Sequence, residues 1–273
     1  MKLTEQQIAH FESFGFLILR QAFSPHEMTE MTRAADDLWR QARQEGEPED
    51  NNQYMSRFIE PSPRLAWLAE DDRIYKPMGQ LLGDGFIWGG SEGNKGSHNV
   101  TNDHYWHCDR DKFIGLGYGF VKLMIYLEPT TKETGALRVI PDSHLQPFAD
   151  LLRPLDAQQR HTCRDAFGVE GDELPCVGVE TQPGDLVLLN HYIYHGVYHK
   201  QPNRRYIALK YAAKPATAAH VNALRAHHQD NSCLHDAFRR STRPHIQAMV
   251  EHLITSERLS ATARMLGDRR RVH

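Results

Sequence analysis

The sequence predicts a mainly β domain with helices packed around it. Three observations carry this. Short apolar, β-prone runs recur from Phe16 to Tyr211 and are separated by Gly, Pro and Asp turns. Runs with apolar residues at helical spacing lie mostly at the two ends of the chain. No internal repeat, low-complexity tract or linker divides the 273 residues, which suffice for one sizeable core. One domain over 1–273 is therefore expected, with a β core at about 84–213 and a helical extension at about 216–266.

At the N-terminus, Thr4 and Gln7 form a capping-box pattern for a helix to about Phe14. Gly15 stops it, and Phe16–Leu19 reads as a strand. Ser24, Pro25 and Glu27 open a second helix, along which Met28, Met31, Ala35, Leu38 and Ala42 recur at helical spacing. A polar loop is expected over 45–52, then two short helices over 64–70 and 73–82. Phe86–Trp88 reads as a strand, and 91–103, rich in Gly, Asn and His, as a loop, either over the functional site or a plain surface loop. Gly119–Pro129 is an apolar strand with Lys122 inside it. A turn and short strand follow over 134–144, and an irregular insertion with a helix begins at Leu145. Gln182-Pro183-Gly184-Asp185 is a tight turn into the strand Leu186–Leu189. Arg204–Tyr211 alternates as a last strand.

His107-Cys108-Asp109, with His195 far downstream, carries the chemistry. Side chains at i and i+2 of an extended segment share a face, so His107 and Asp109 can reach one metal while Cys108 points away. Two His and one carboxylate form the facial triad of mononuclear non-haem iron, which leaves positions open for oxygen and a co-substrate. The spacing alone is weak. With 17 His and 35 acidic residues, about one His-x-Asp is expected by chance. A second copy, His228-Gln229-Asp230, lies in a helix-like run and reads as a solvated helix end.

The surroundings of His107 are more specific. From about Leu3 to Ala213 the chain carries, in order, a helix–strand–helix opening with Gly15-Phe16-Leu17-Ile18-Leu19, then Trp106-His107-Cys108-Asp109. Gly135-Ala136-Leu137-Arg138-Val139-Ile140-Pro141-Asp142-Ser143-His144, the Pro183-Gly184-Asp185 turn, His195-Gly196 and Arg204 follow. This order resembles the phytanoyl-CoA dioxygenase family of Fe(II)/2-oxoglutarate oxygenases. The resemblance implies a double-stranded β-helix, a jelly-roll or cupin-like core, with N-terminal and C-terminal helices. It implies Fe(II) held by His107, Asp109 and His195, with 2-oxoglutarate and O2 as co-substrates. An Arg on the last strand would take the distal carboxylate of 2-oxoglutarate, for which a guanidinium is the better fork. Arg204 fits best, and Arg205 is the alternative.

Two positions depart from the family pattern. Val197 stands where many members have Ser, and Met124 where a co-substrate-facing Trp can stand. Lys122 shares a strand face with Met124 and could pair with 2-oxoglutarate or an anionic substrate, or reach the rim as a solvated Lys. Related halogenases replace the carboxylate ligand with a small residue; Asp109 leaves no such vacancy, which favours hydroxylation or another oxidation, with demethylation, desaturation, cyclisation and epimerisation left open. Arg57, Trp88, Asn99, His104 and Trp106 could line a pocket for a small polar substrate.

The net charge of −3 gives no field that would gather nucleic acid or an anionic membrane. No run approaches the roughly 18 apolar residues of a membrane span. Cys108, Cys163, Cys176 and Cys233 form no Cys-x-x-Cys pair, and the N-terminus lacks a signal-peptide core, so a cytoplasmic home is expected. Two other readings remain: a cupin-like metal enzyme that does not use 2-oxoglutarate, and a non-catalytic jelly-roll metal-binding protein.

Overall fold

The computed structural model describes residues 1–43, 52–97, 103–157, 160–202, 204–230 and 234–255. Two sheets form its centre. The larger has six strands: β1 (Phe16–Leu19), β8 (Leu186–Asn190), β5 (Phe120–Tyr126), β10 (Arg205–Ala212), β3 (Ile87–Lys95) and β2 (Gln53–Ser56), in that order. The smaller has β4 (His104–His107), β9 (His195–Val197), β6 (Leu137–Val139) and β7 (Val177–Val179). All pairings are antiparallel. Among the described residues no ladder closes the two sheets into a barrel; an isolated bridge joins Thr130 and Thr181. The larger sheet draws β1 and β2 from outside the expected 84–213 core. The stretch read as a loop from Ser91 is strand β3 up to Lys95, because it pairs on both sides, with β2 and β10.

Strand alternation sorts the core. On β5, Val121, Leu123 and Ile125 face the outer layer, together with Leu186 and Leu188 of β8 and Ile207 and Leu209 of β10. That layer is built by α2 (Pro25–Ala42), α3 (Asp72–Leu82) and a last helix over 244–255, through Met31, Trp39, Ile74, Met78 and Met249. The opposite face of β5 sends Met124 and Tyr126 inward, where they meet Leu137, Val139, Val179 and Val197 of the smaller sheet. Lys122 lies on that same inward face and is the polar exception to it.

The expected caps form. In α1 (Glu5–Phe14) the Gln7 N–H donates to Thr4 Oγ1, and the Gln7 amide oxygen accepts from the Thr4 N–H. Ser24 and Glu27 do the same for α2. The insertion contains α4 (Phe148–Leu151) and α5 (Arg160–Phe167).

The C-terminal helices α6 (Ala218–Asp230) and α7 (Asp236–Arg239) pack on the domain. This corrects the reading of the second His-x-Asp copy as solvated at its first residue: His228 is half-buried, with its Nε2 shut off from solvent, and its neighbour lies deeper. His227 is fully buried, its Nε2 lies 2.8 Å from the Gly89 carbonyl, and its ring packs 5.2 Å from Phe120. Helix α6 turns this face towards β3 and β5 instead of water. No helix among the described residues is long and apolar enough to cross a membrane.

Candidate metal site and adjoining cavity

Strands β4 and β9 pair so that His107 and His195 are register partners, with ring centroids 4.4 Å apart. Asp109 is not on the strand. β4 stops at His107, and Asp109 begins a turn. Cys108 still points away, with its N–H donating to Asp156 and its Sγ 3.2 Å from the Tyr192 carbonyl. The two anchors on Cys108 swing Asp109 back under the imidazoles, as an extended segment would have done.

One ligand atom from each of His107, Asp109 and His195 lies within 4.8 Å of the others. Nε2 of His107 is 3.5 Å, and Nε2 of His195 3.9 Å, from Asp109 Oδ1. Both Nδ1 atoms face backbone carbonyls, Tyr105 at 2.7 Å and Ile193 at 2.9 Å. A carbonyl only accepts, so each Nδ1 carries the proton and each Nε2 presents its lone pair to the centre of the cluster. Burial drives the His195 pKa down to about 3, which keeps that ring neutral. Burial lowers the His107 pKa, but Asp109 beside it outweighs this and raises it, so that ring releases any proton on Nε2 when it takes a metal. The donor set fits a divalent transition metal: two imidazoles and one carboxylate, with no thiolate.

The other oxygen of Asp109 is also held. Oδ2 accepts from Lys122 Nζ at 3.1 Å and lies 3.0 Å from His191 Nε2. Burial raises the Asp109 pKa, but Lys122 and the surrounding imidazoles of His195, His107 and His191 outweigh it and hold the carboxyl well below its usual range. Behind Lys122 lies buried Glu92, 3.9 Å away, which also pairs with Lys210 and accepts from Tyr54 at 2.6 Å. Burial raises the Glu92 pKa, yet the two lysines bring it to about 2.

A cavity of about 180 Å³ opens beside the cluster and is lined by all three residues. Arg204 forms part of its wall. This side chain is buried and donates to the Tyr126 hydroxyl at 3.0 Å, yet its Nε has no hydrogen-bond partner and no carboxylate pairs with it among the described residues. Such a guanidinium is a built acceptor site for an anion. Alternation sends Arg205 the other way, into ion pairs with Glu128 and Asp36 of α2.

The remaining expected residues divide. Lys122 and His104 line the cavity. A register shift between His104 and His107 re-aims β4, so two side chains three residues apart face the same space. Trp88 and Trp106 do not line it. Each lies in an apolar cluster with its indole N–H satisfied, by Glu60 at 3.1 Å and by the Gly171 carbonyl at 2.7 Å. Arg57 lies off the cavity too; its φ of 54° and its N–H bond to Ser91 serve the turn after β2. Asn99 lies outside the described residues.

Sequence reasoning passed over His191, Glu92 and Lys200. His191 carried a signal, four residues before His195 in Asn190-His191-Tyr192-Ile193-Tyr194-His195. Asn190 closes that turn by accepting from the Tyr192 N–H at 3.1 Å, which brings both rings to Asp109.

Residues 91–205 match the profile of the phytanoyl-CoA dioxygenase (PhyH) family, a segment that contains the whole cluster and Arg204. Over that segment the chain is similar to this family. No curated protein matches the sequence. Among solved structures, this chain is similar to HygX from Streptomyces hygroscopicus with nickel and 2-oxoglutarate bound. The TM-score is 0.65 at 21% identity, over 78% of this chain and 88% of that one. EctD from S. alaskensis matches with a TM-score of 0.58 at 23% identity over 77% of each chain. SnoK, an alpha-ketoglutarate-dependent carbocyclase from nogalamycin biosynthesis, matches with 0.59 at 18% over 77% of this chain and 84% of that one. The likeness at these identities is one of fold.

Proposed function

We propose that this chain is an Fe(II)- and 2-oxoglutarate-dependent dioxygenase that hydroxylates a small polar metabolite, releasing succinate and CO2. Arg204 is the observation that carries this reading beyond a bare metal site. It is a buried cation without a carboxylate, in the same cavity as a His-Asp-His cluster. A keto acid with a second carboxylate can bridge those two features, its keto acid end at the metal and its distal carboxylate at Arg204. HygX, with nickel and 2-oxoglutarate bound, supports the choice of co-substrate.

In this reading His107, Asp109 and His195 hold the iron. Bound iron supplies oxygen activation coupled to oxidative decarboxylation of 2-oxoglutarate. The chain's own residues hold and orient. Arg204, itself hydrogen-bonded to Tyr126, fixes the distal carboxylate. Lys122 and His191 restrain the outer oxygen of Asp109. Met124, Leu137 and Val197 line the same cavity with apolar surface, which limits water beside the reacting centre. Asp109 fills the carboxylate position of the triad, which favours hydroxylation over halogenation.

The test is an anaerobic Fe(II) titration with and without 2-oxoglutarate, following the visible charge-transfer band. The expected band needs both components, disappears in His107→Ala and weakens in Arg204→Ala. Iron binding without a band would instead favour a cupin-like enzyme that does not use 2-oxoglutarate. Absence of iron binding would favour a binding protein.

A further inference from the structure

We infer that the substrate carries an acidic group, of carboxylate or phosphonate type, which docks on Lys200 at the cavity wall beside His104; this rests on the co-substrate reading above. The charges that line the cavity are uneven. Asp109 is its acidic residue, whereas Lys122, Lys200 and Arg204 are basic. Lys122 is matched by Asp109 and Glu92. Arg204 is matched by the distal carboxylate of 2-oxoglutarate. Lys200 is left over. It is half-buried, and no carboxylate lies within ion-pair distance of it among the described residues.

Lys200 is held in place against a cost. Burial and then the neighbouring Arg204 push its pKa down, against a smaller opposing effect of Asp103, so the fold keeps two like charges close together. The backbone ahead of it is pinned. His199 sits in the left-handed region at φ 57°, its N–H donates to Asp103 at 3.0 Å, and its Nε2 lies 3.3 Å from Asp172. On the far side the chain packs so closely on Gly135 that a Cβ there would fall 2.9 Å from the Lys200 Cα. A surface lysine needs no such support. A cation with a fixed base, beside a second cation and with no carboxylate in ion-pair contact among the described residues, is a site for an anion.

His104 completes the subsite. The register shift in β4 turns it into the cavity. Its imidazole offers a hydrogen-bond donor beside the Lys200 ammonium. A cationic substrate would meet Lys200 with Asp109 already committed to the metal. An anionic one meets a cation and a hydrogen-bond donor.

The test uses inorganic phosphate as the probe, read by calorimetry at saturating 2-oxoglutarate so that Arg204 is occupied. Wild-type protein, Lys200→Met and Lys200→Arg are compared. The expected result is at least tenfold weaker phosphate binding in Lys200→Met, recovery in Lys200→Arg, and a 2-oxoglutarate affinity within twofold of wild type in both. Matched small acids and their amides are then screened for succinate release, with turnover expected from the acid series. Phosphate binding that persists in Lys200→Met overturns the proposal, as does 2-oxoglutarate binding that falls with it, since Lys200 would then belong to the co-substrate site. Equal turnover of acids and amides also overturns it. If the charge-transfer band never forms, the co-substrate reading fails, while the Lys200 dependence of phosphate binding is still read by calorimetry.

Discussion

Lys122 Nζ lies 3.1 Å from Oδ2 of Asp109, while the two imidazoles of the cluster face Oδ1. The carboxylate is thereby divided, with one oxygen for a metal and one for the protein. His191 reinforces the division at 3.0 Å. The lysine expected from sequence to face 2-oxoglutarate or an anionic substrate spends its charge on a metal ligand.

Lys122→Met should therefore act on the metal more than on the co-substrate. Removing a partner that orients a ligand costs about 10- to 100-fold in metal affinity. It also leaves Asp109 and Glu92 short of a buried counter-charge, at a cost of about 3 kcal/mol in stability. Metal dissociation constants by calorimetry and urea unfolding measure the two effects. Unchanged metal affinity would show that the contact does not orient the ligand.

Arg204 and Arg205 are adjacent but should behave oppositely. Arg204→Ala removes an unpaired buried fork and should weaken 2-oxoglutarate by about 100-fold, on the order of 3 kcal/mol for a charged hydrogen-bonded partner. Arg205→Ala removes ion pairs to Glu128 and Asp36 on the helix side of the sheet. It should lower the unfolding midpoint slightly and leave 2-oxoglutarate affinity unchanged. Titration of the charge-transfer band in both variants decides; the reverse pattern would exchange their roles.

Several core strands and the candidate metal triad were legible because they rest on local pattern. Val121, Leu123 and Ile125 alternate with Lys122, Met124 and Tyr126, and His107 and His195 sit in recognisable runs. Glu92 was hidden because Ser91-Glu92-Gly93-Asn94 has turn composition, and its strand forms through pairing with β2 and β10. Trp88 and Trp106 were misplaced because an aromatic near a site reads as a pocket wall, whereas both bury their rings and find hydrogen-bond acceptors in the core. Whether His228 is solvated depends on where α6 docks, which helical spacing does not encode.

Acid should destabilise the metal-free protein through its buried histidines. Burial is the main cause that lowers the pKa of His191 and His228 to about 4 and that of His195 to about 3. In the unfolded chain these groups titrate near 6.5. The folded state therefore refuses protons that the unfolded state takes up, and stability is full above pH 6.5 and falls as pH drops from there towards 4. The urea midpoint measured from pH 8 to pH 4.5 checks this. His228→Gln, away from the metal cluster, should flatten part of the slope. A midpoint independent of pH over that range would contradict the neutral assignment.

Gly15 ties the first helix to the site. It ends α1 at φ 79°, where its N–H donates to the Phe11 carbonyl at 2.8 Å. Its own carbonyl accepts from the Asn190 N–H at 2.8 Å, at the start of the turn that carries His191. A Cβ on Gly15 would stand 2.6 Å from His144 Nδ1 and 3.0 Å from Ile193 Cδ1. Gly15→Ala should thus cost the left-handed strain, about 1 kcal/mol, plus a clash with a buried ring, for roughly 2–4 kcal/mol in all. Gly117→Ala is the control. Its φ is also positive, at 67°, but nothing lies within 4 Å of the added methyl, so it should show the strain alone. Metal affinity should fall in Gly15→Ala and not in Gly117→Ala, because only the first displaces the turn between Asn190 and His195. Equal unfolding midpoints in the two variants would mean that His144 and Ile193 yield freely and that the turn is not held from this side.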